Sequence, residues 1–137
     1  MCIRDRECAE QLPEKEQDYL KAVAIPYFQA VKTWLETIKI GINGNDLYEA
    51  VETVLPKEEY GWTLNPGHLC ADEEWMSSPI YPQSEETLQS GMLFQIDIIP
   101  SVNGYGAVSY THLAHTNGNR FRHDDAVKRE VIVQRGI

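Results

Sequence analysis

Between Gly91 and Pro100 the chain reads Met92-Leu93-Phe94-Gln95-Ile96-Asp97-Ile98-Ile99, and that alternation limits what it can become. Successive side chains of a strand point to opposite faces, so Met92, Phe94, Ile96 and Ile98 share one face and Leu93, Gln95, Asp97 and Ile99 the other. The first face is wholly apolar and demands a layer packed against it. The second carries a lone carboxylate, which is costly to bury without a partner, a hydrogen bond or a metal. Asp97 is therefore the most informative residue of the chain. Either an Arg, Lys or backbone donor satisfies it, or a metal does.

A different period governs Pro13 to Ile40. Apolar residues recur at Tyr19, Leu20, Val23, Tyr27, Phe28, Val31, Trp34, Leu35 and Ile38, the i, i+3, i+4 steps of one broad face of a long amphipathic helix. Its aromatic stripe reads as core. Leu12-Pro13-Glu14-Lys15-Glu16 suits the start, with proline near the first turn and acids where the helix dipole favours them. Pro26 should kink or break the helix near Ala22, whose carbonyl loses its partner. Gly41 can close it, and Asn43 or Asn45 can cap a second helix from Asp46 to Val54, with Leu47, Ala50, Val51 and Val54 inward. Leu55-Pro56 ends that helix. Tyr60 to Pro82, holding Gly61, Pro66, Gly67, Pro79 and Pro82, reads as loop, the kind of segment that carries binding and catalytic groups. Helices beside an antiparallel strand make the expected class α+β.

The bulk numbers exclude several functions. A length of 137 residues suits one domain with a real core. A net charge of −9 argues against nucleic acid, whose phosphates require clustered Lys and Arg. No apolar run reaches membrane-spanning length, and the opening MCIRDRECAE lacks the apolar region of a secretion signal, so a cytoplasmic protein is expected. Cys2, Cys8 and Cys70 form neither a disulfide framework nor a zinc knuckle.

The two ends differ in kind from the middle. Writing Met1-Cys2-Ile3-Arg4-Asp5 as ATG-TGT-ATA-AGA-GAC gives the reverse complement GTC-TCT-TAT-ACA-CAT. That translates as Val-Ser-Tyr-Thr-His, the residues at Val108 to His112. The DNA resembles the transposase end sequence used to prepare sequencing libraries. Residues 1–6 are accordingly read as adaptor-derived, 7–106 as the coding domain, and 107–137 as adaptor plus an unrelated tail. On this reading His112 is no ligand, and the helix-compatible stretch Asp125 to Gln134 carries no functional meaning.

The order of a long amphipathic helix, Ile40-Gly41-Ile42-Asn43-Gly44-Asn45-Asp46-Leu47-Tyr48, Pro66-Gly67-His68, Ser78-Pro79 and Leu88-Gln89-Ser90-Gly91-Met92 with its strand is similar to the second half of pita-bread domains. That family includes creatinase, aminopeptidase P, prolidase and methionine aminopeptidase. The resemblance implies a partial pita-bread domain from about Glu7 to Gly106, with helices packed on a curved antiparallel sheet. It also implies a hydrolase of the Xaa-Pro aminopeptidase or dipeptidase type that cleaves an N-terminal peptide bond. Two divalent metals (manganese, zinc, cobalt or iron) would activate a shared water and polarise the scissile carbonyl. The parent would take a peptide substrate and form a homodimer.

Residue by residue, Pro66-Gly67-His68 resembles the family's G-H-G block and places a metal ligand at His68. The strand resembles L-x-x-G-M-v-x-x-i-E and places a second at Asp97. Glu74 takes the role of proton transfer or of orienting a histidine. Bland readings stand beside these: a loop histidine bonded to backbone, and a surface acid. The chain also departs from the pattern. Leu69 replaces the second glycine, Asp97 is one methylene shorter than Glu, and the downstream H-E-x-P has no matching histidine. The remaining ligands would lie outside residues 7–106, so this fragment is expected to hold no metals by itself. It is also expected to leave the Met92–Ile99 strand with an unpaired edge and an exposed apolar face. The alternatives are a non-catalytic homologue that binds a peptide or protein partner without metals, and an unrelated α+β domain. Sequencing the native locus is expected to show coding that diverges at Met1 to Arg6 and again from Val108.

Overall fold

In the computed structural model, residues 18–70 and 77–105 are described, with backbone alone at 64, 65 and in the strands after 106. The predicted helix start at Pro13 lies outside them. The helix disturbed by Pro26 takes the form of a π-helical turn, Leu20–Ala24, followed by α1, Ile25–Thr37. Proline offers no N–H to the Ala22 carbonyl; the wider turn accommodates this, and the Ile25 N–H reaches back five residues to the Leu20 carbonyl. The buried stripe is narrower than the periodicity predicts. Tyr19, Val23, Tyr27, Val31 and Trp34 are buried, whereas Leu20 and Phe28 are 45% and 40% exposed.

Helix α1 stops three residues short of Ile40, and Gly41 is not its cap. Ile38 is already extended because the following chain pairs elsewhere. The Gly41 N–H donates to the Leu88 carbonyl, the Leu88 N–H to Ile42 and the Gly44 N–H to Glu86. These bonds begin the second helix, α2, Gly44–Val54, whose cap is Asn43: its side chain accepts from the Asn45 N–H at 2.8 Å. Leu47 and Val51 are fully buried. A short α3, Lys57–Tyr60, follows. None of the described helices is long and apolar enough to cross a membrane.

The expected loop from Tyr60 to Pro82 instead begins with a strand, β1, Thr63–Leu69, paired antiparallel with β2, Leu93–Ile99. Strands β3, Ala107–Tyr110, β4, His112–Asn117, β5, Arg120–His123, and β6, Val131–Gln134, complete the sheets. Their order is β1-β2-β4-β5 in one sheet and β3-β6 in the other. Two expectations are thereby corrected. Strand β2 has neighbours on both sides rather than an open edge, and Val131–Gln134 is strand rather than helix, as its β-branched residues favour. The apolar face of β2 is not exposed either. Phe94, Ile96 and Ile98 are completely buried, in one cluster with Tyr27, Trp34, Leu47 and Val51 of the two helices. The structure is thus mixed α and β.

The β1–β2 register slips once. Asn65 pairs with Asp97, but His68 pairs with Gln95, so Pro66 and Gly67 together face Ile96 in a β-bulge. Gly67 has φ +143°, and a Cβ there would lie 2.9 Å from Ile80 Cδ1 and 3.1 Å from the Trp34 ring. The Gly67 carbonyl accepts from Ser78 Oγ at 2.5 Å, and Ser78 Oγ also accepts from the Ile80 N–H at 3.0 Å. A substitution Gly67→Ala combines backbone strain with overpacking and is expected to destabilise the chain by about 2–4 kcal/mol. Urea unfolding of the variant against the parent chain measures this.

Candidate functional site

The bulge decides which face His68 occupies. Had the register continued without it, position 68 would lie opposite Phe94, on the core face. One extra residue sets His68 opposite Gln95 instead, on the face that also bears Asp97. The two side chains predicted from separate motifs therefore meet, with His68 Nε2 4.0 Å from Asp97 Oδ2. Glu74, the third predicted residue, lies outside the described residues.

His68 is 2% exposed. Its Nδ1 lies 3.2 Å from the carbonyl of Leu69, an acceptor, so Nδ1 carries the proton and donates it. In the neutral ring that leaves the lone pair on Nε2, which is buried and has no hydrogen-bond partner among the described residues. Holding one imidazole nitrogen on a backbone carbonyl while the other stays free is how proteins commonly orient a metal-ligating histidine. His68 is thus bonded to backbone through one nitrogen, as the bland reading expects, though from a strand rather than a loop.

Asp97 keeps about a fifth of its side chain exposed. Burial raises its carboxyl above the ordinary aspartate value, and the nearby His68 acts in the opposite direction. No Arg or Lys of the described residues forms an ion pair with it, so the simple ion-pair account is not met there. A histidine nitrogen and a carboxylate oxygen suit a borderline divalent ion. Two bonds of about 2.1 Å each span at most about 4.2 Å, so the 4.0 Å gap admits one ion after a small closing of the side chains. Among the described residues no three His, Cys, Asp or Glu side chains gather into one group.

The strand β1 was hidden from sequence reasoning by Asn65-Pro66-Gly67, three residue types of turns, although it is what carries His68. Also unforeseen was Gln95, the residue across from His68, which lies on the same face as Asp97 and is half-buried. The Leu93/Gln95/Asp97/Ile99 alternation was signal enough to find it. No protein-family model matches the chain, and no curated protein matches it.

A carboxyl whose folded-state pKa is raised stabilises the fold only while protonated. Below the ordinary aspartate value of 3.8 both states hold the proton; as pH rises past it, the unfolded chain ionises first and the fold loses stability. Asp97→Asn is therefore expected to raise the thermal midpoint near neutral pH, in the presence of a chelator. The gain should shrink to nothing well below the ordinary aspartate range, as read from melting curves over a pH series.

Proposed function

We propose that residues 7–106 are part of a metal-dependent aminopeptidase or dipeptidase of the pita-bread family, of the Xaa-Pro type. The whole protein would hydrolyse an N-terminal peptide bond with a metal-activated water. The observation that supports this most is the β-bulge, which puts His68 and Asp97 on one face with His68 Nε2, unpartnered among the described residues, at 4.0 Å from the carboxylate. Nothing in helix packing alone calls for a histidine buried in that way.

His68 would supply a neutral nitrogen ligand, oriented by its bond to Leu69, and Asp97 an anionic oxygen. Glu74 is assigned to proton transfer or to orienting a ligand. A bound divalent metal in such a site supplies Lewis acidity and a water ionised near neutral pH. Two dications close together repel and need several carboxylates to hold them. Asp97 alone cannot do this, so two-metal chemistry belongs to a parent with further acids, acting in the cytoplasm on peptide substrates and as a homodimer.

A second reading, a homologue that binds a peptide or protein partner without metals, draws on two departures of the chain. Aspartate replaces the longer glutamate at Asp97, and the H-E-x-P histidine is missing. An upstream Asp pair in the native locus, spaced by about ten residues as the resemblance implies, distinguishes the enzyme from the binder.

Calorimetric titration with manganese or zinc, beside an assay for release of the first residue of an Xaa-Pro peptide, tests the assignment. The chain of 137 residues is expected neither to bind two ions tightly nor to release product, whereas a parent containing the Asp pair is expected to do both. A parent with that pair that does neither would overturn the enzymatic reading.

A further inference from the structure

The face that carries His68 and Asp97 has a third polar member. Gln95 is the register partner of His68 on β2 and stands two residues from Asp97 on the same strand, so all three belong to one patch of sheet. Leu93 and Ile99, each half-buried, flank it. A glutamine in such a place has one carbonyl acceptor and two N–H donors to satisfy. No hydrogen bond from its side chain to a described residue is formed, and its register partner His68 carries a buried Nε2 with no hydrogen-bond partner among the described residues.

We propose that Gln95 is the third donor of a one-cation site, its side-chain carbonyl joining His68 Nε2 and an Asp97 oxygen around a single divalent ion. The inference rests on the reading of this face as ligand-bearing and adds the residue that completes it. An amide oxygen adds a hard donor with no further charge. One nitrogen and two oxygens suit manganese, cobalt or zinc. With only one anionic ligand the ion is held loosely, and a second is not held at all. The geometry also explains why a bulge is worth keeping at Pro66-Gly67: without it the histidine would lie across from Phe94 rather than Gln95.

The test uses the chain of 137 residues and Co2+ as probe, followed by its visible absorption, with Mn2+ in a parallel NMR experiment. The expected result is saturable binding of one Co2+ per chain. Gln95→Leu, similar in volume but without a donor, should weaken it about tenfold while leaving the metal-free melting midpoint unchanged. Gln95→Glu should bind at least as tightly as the original chain. In the unmutated chain, substoichiometric Mn2+ should broaden the Gln95 side-chain amide signals before those of other glutamines, which needs no variant to fold. If Gln95→Leu binds as the original does while His68→Ala loses the ion, the third-donor assignment is overturned and the metal reading of the face survives. Unselective broadening overturns the assignment in the same way. Two ions per chain would contradict the one-cation site. No saturable Co2+ binding by the original chain would remove both this proposal and the ligand-bearing reading beneath it.

Discussion

Trp34 meets Gly67 edge to backbone, and much of the structure is arranged around that contact. The indole is completely buried on α1, and it approaches β1 so closely that position 67 has no room for even a methyl group. A strand forced against a large ring at a residue without a side chain can bend, and here it takes up one additional residue as it does so. Ser78 fastens the bend through the Gly67 carbonyl, and Ile80 packs on the other side of the same glycine. Helix, strand and the chain around Pro79 are thereby locked at one point. The face presented by His68 is a consequence of that lock.

The polar patch and the core are two sides of one strand. On one side Phe94, Ile96 and Ile98 lose all contact with water; on the other, Gln95 and Asp97 stay partly wetted. Burial of the apolar side supplies the stabilisation, at about 1.5–3 kcal/mol for each large side chain, and it holds the backbone rigid beneath the polar one. Side chains mounted on such a strand are positioned more closely than loop residues would be. Helices α1 and α2 therefore serve the site from the core side of the sheet.

Much of this was legible in residue order, and the failures have physical causes. The period of 3.6 located α1 and α2, the period of two located β2, and Pro26 located the π-helical turn. Each of those signals is local. The errors arose where distant partners decide. Ile38 leaves the helix because Gly41 and Ile42 pair with Leu88, a contact no window around Ile38 contains. Strand β1 forms despite Asn65-Pro66-Gly67 because β2 offers it a ladder. The two motifs that placed His68 and Asp97 did bring them to one face, but the spacing between the motifs could not reveal the bulge responsible. Gln95 is visible in the alternation, but an amide on a strand has no charge that marks it out.

The start of α2 has a further consequence. A Cβ on Gly44 would lie 1.9 Å from the Pro79 carbonyl oxygen. Around that point the Gly44 N–H bonds to Glu86, Ser84 Oγ bonds to Pro79, and the Gln83 N–H bonds to Asn45. The first turn of this helix is thus shaped by residues some forty positions later in the chain. During biosynthesis that turn must wait, since its partners leave the ribosome well after the helix itself. Once they arrive, helix end and distant loop open and close as a single cooperative unit. A break anywhere in residues 79 to 86 would be felt first at Asn43 and Gly44, far away in sequence and adjacent in space.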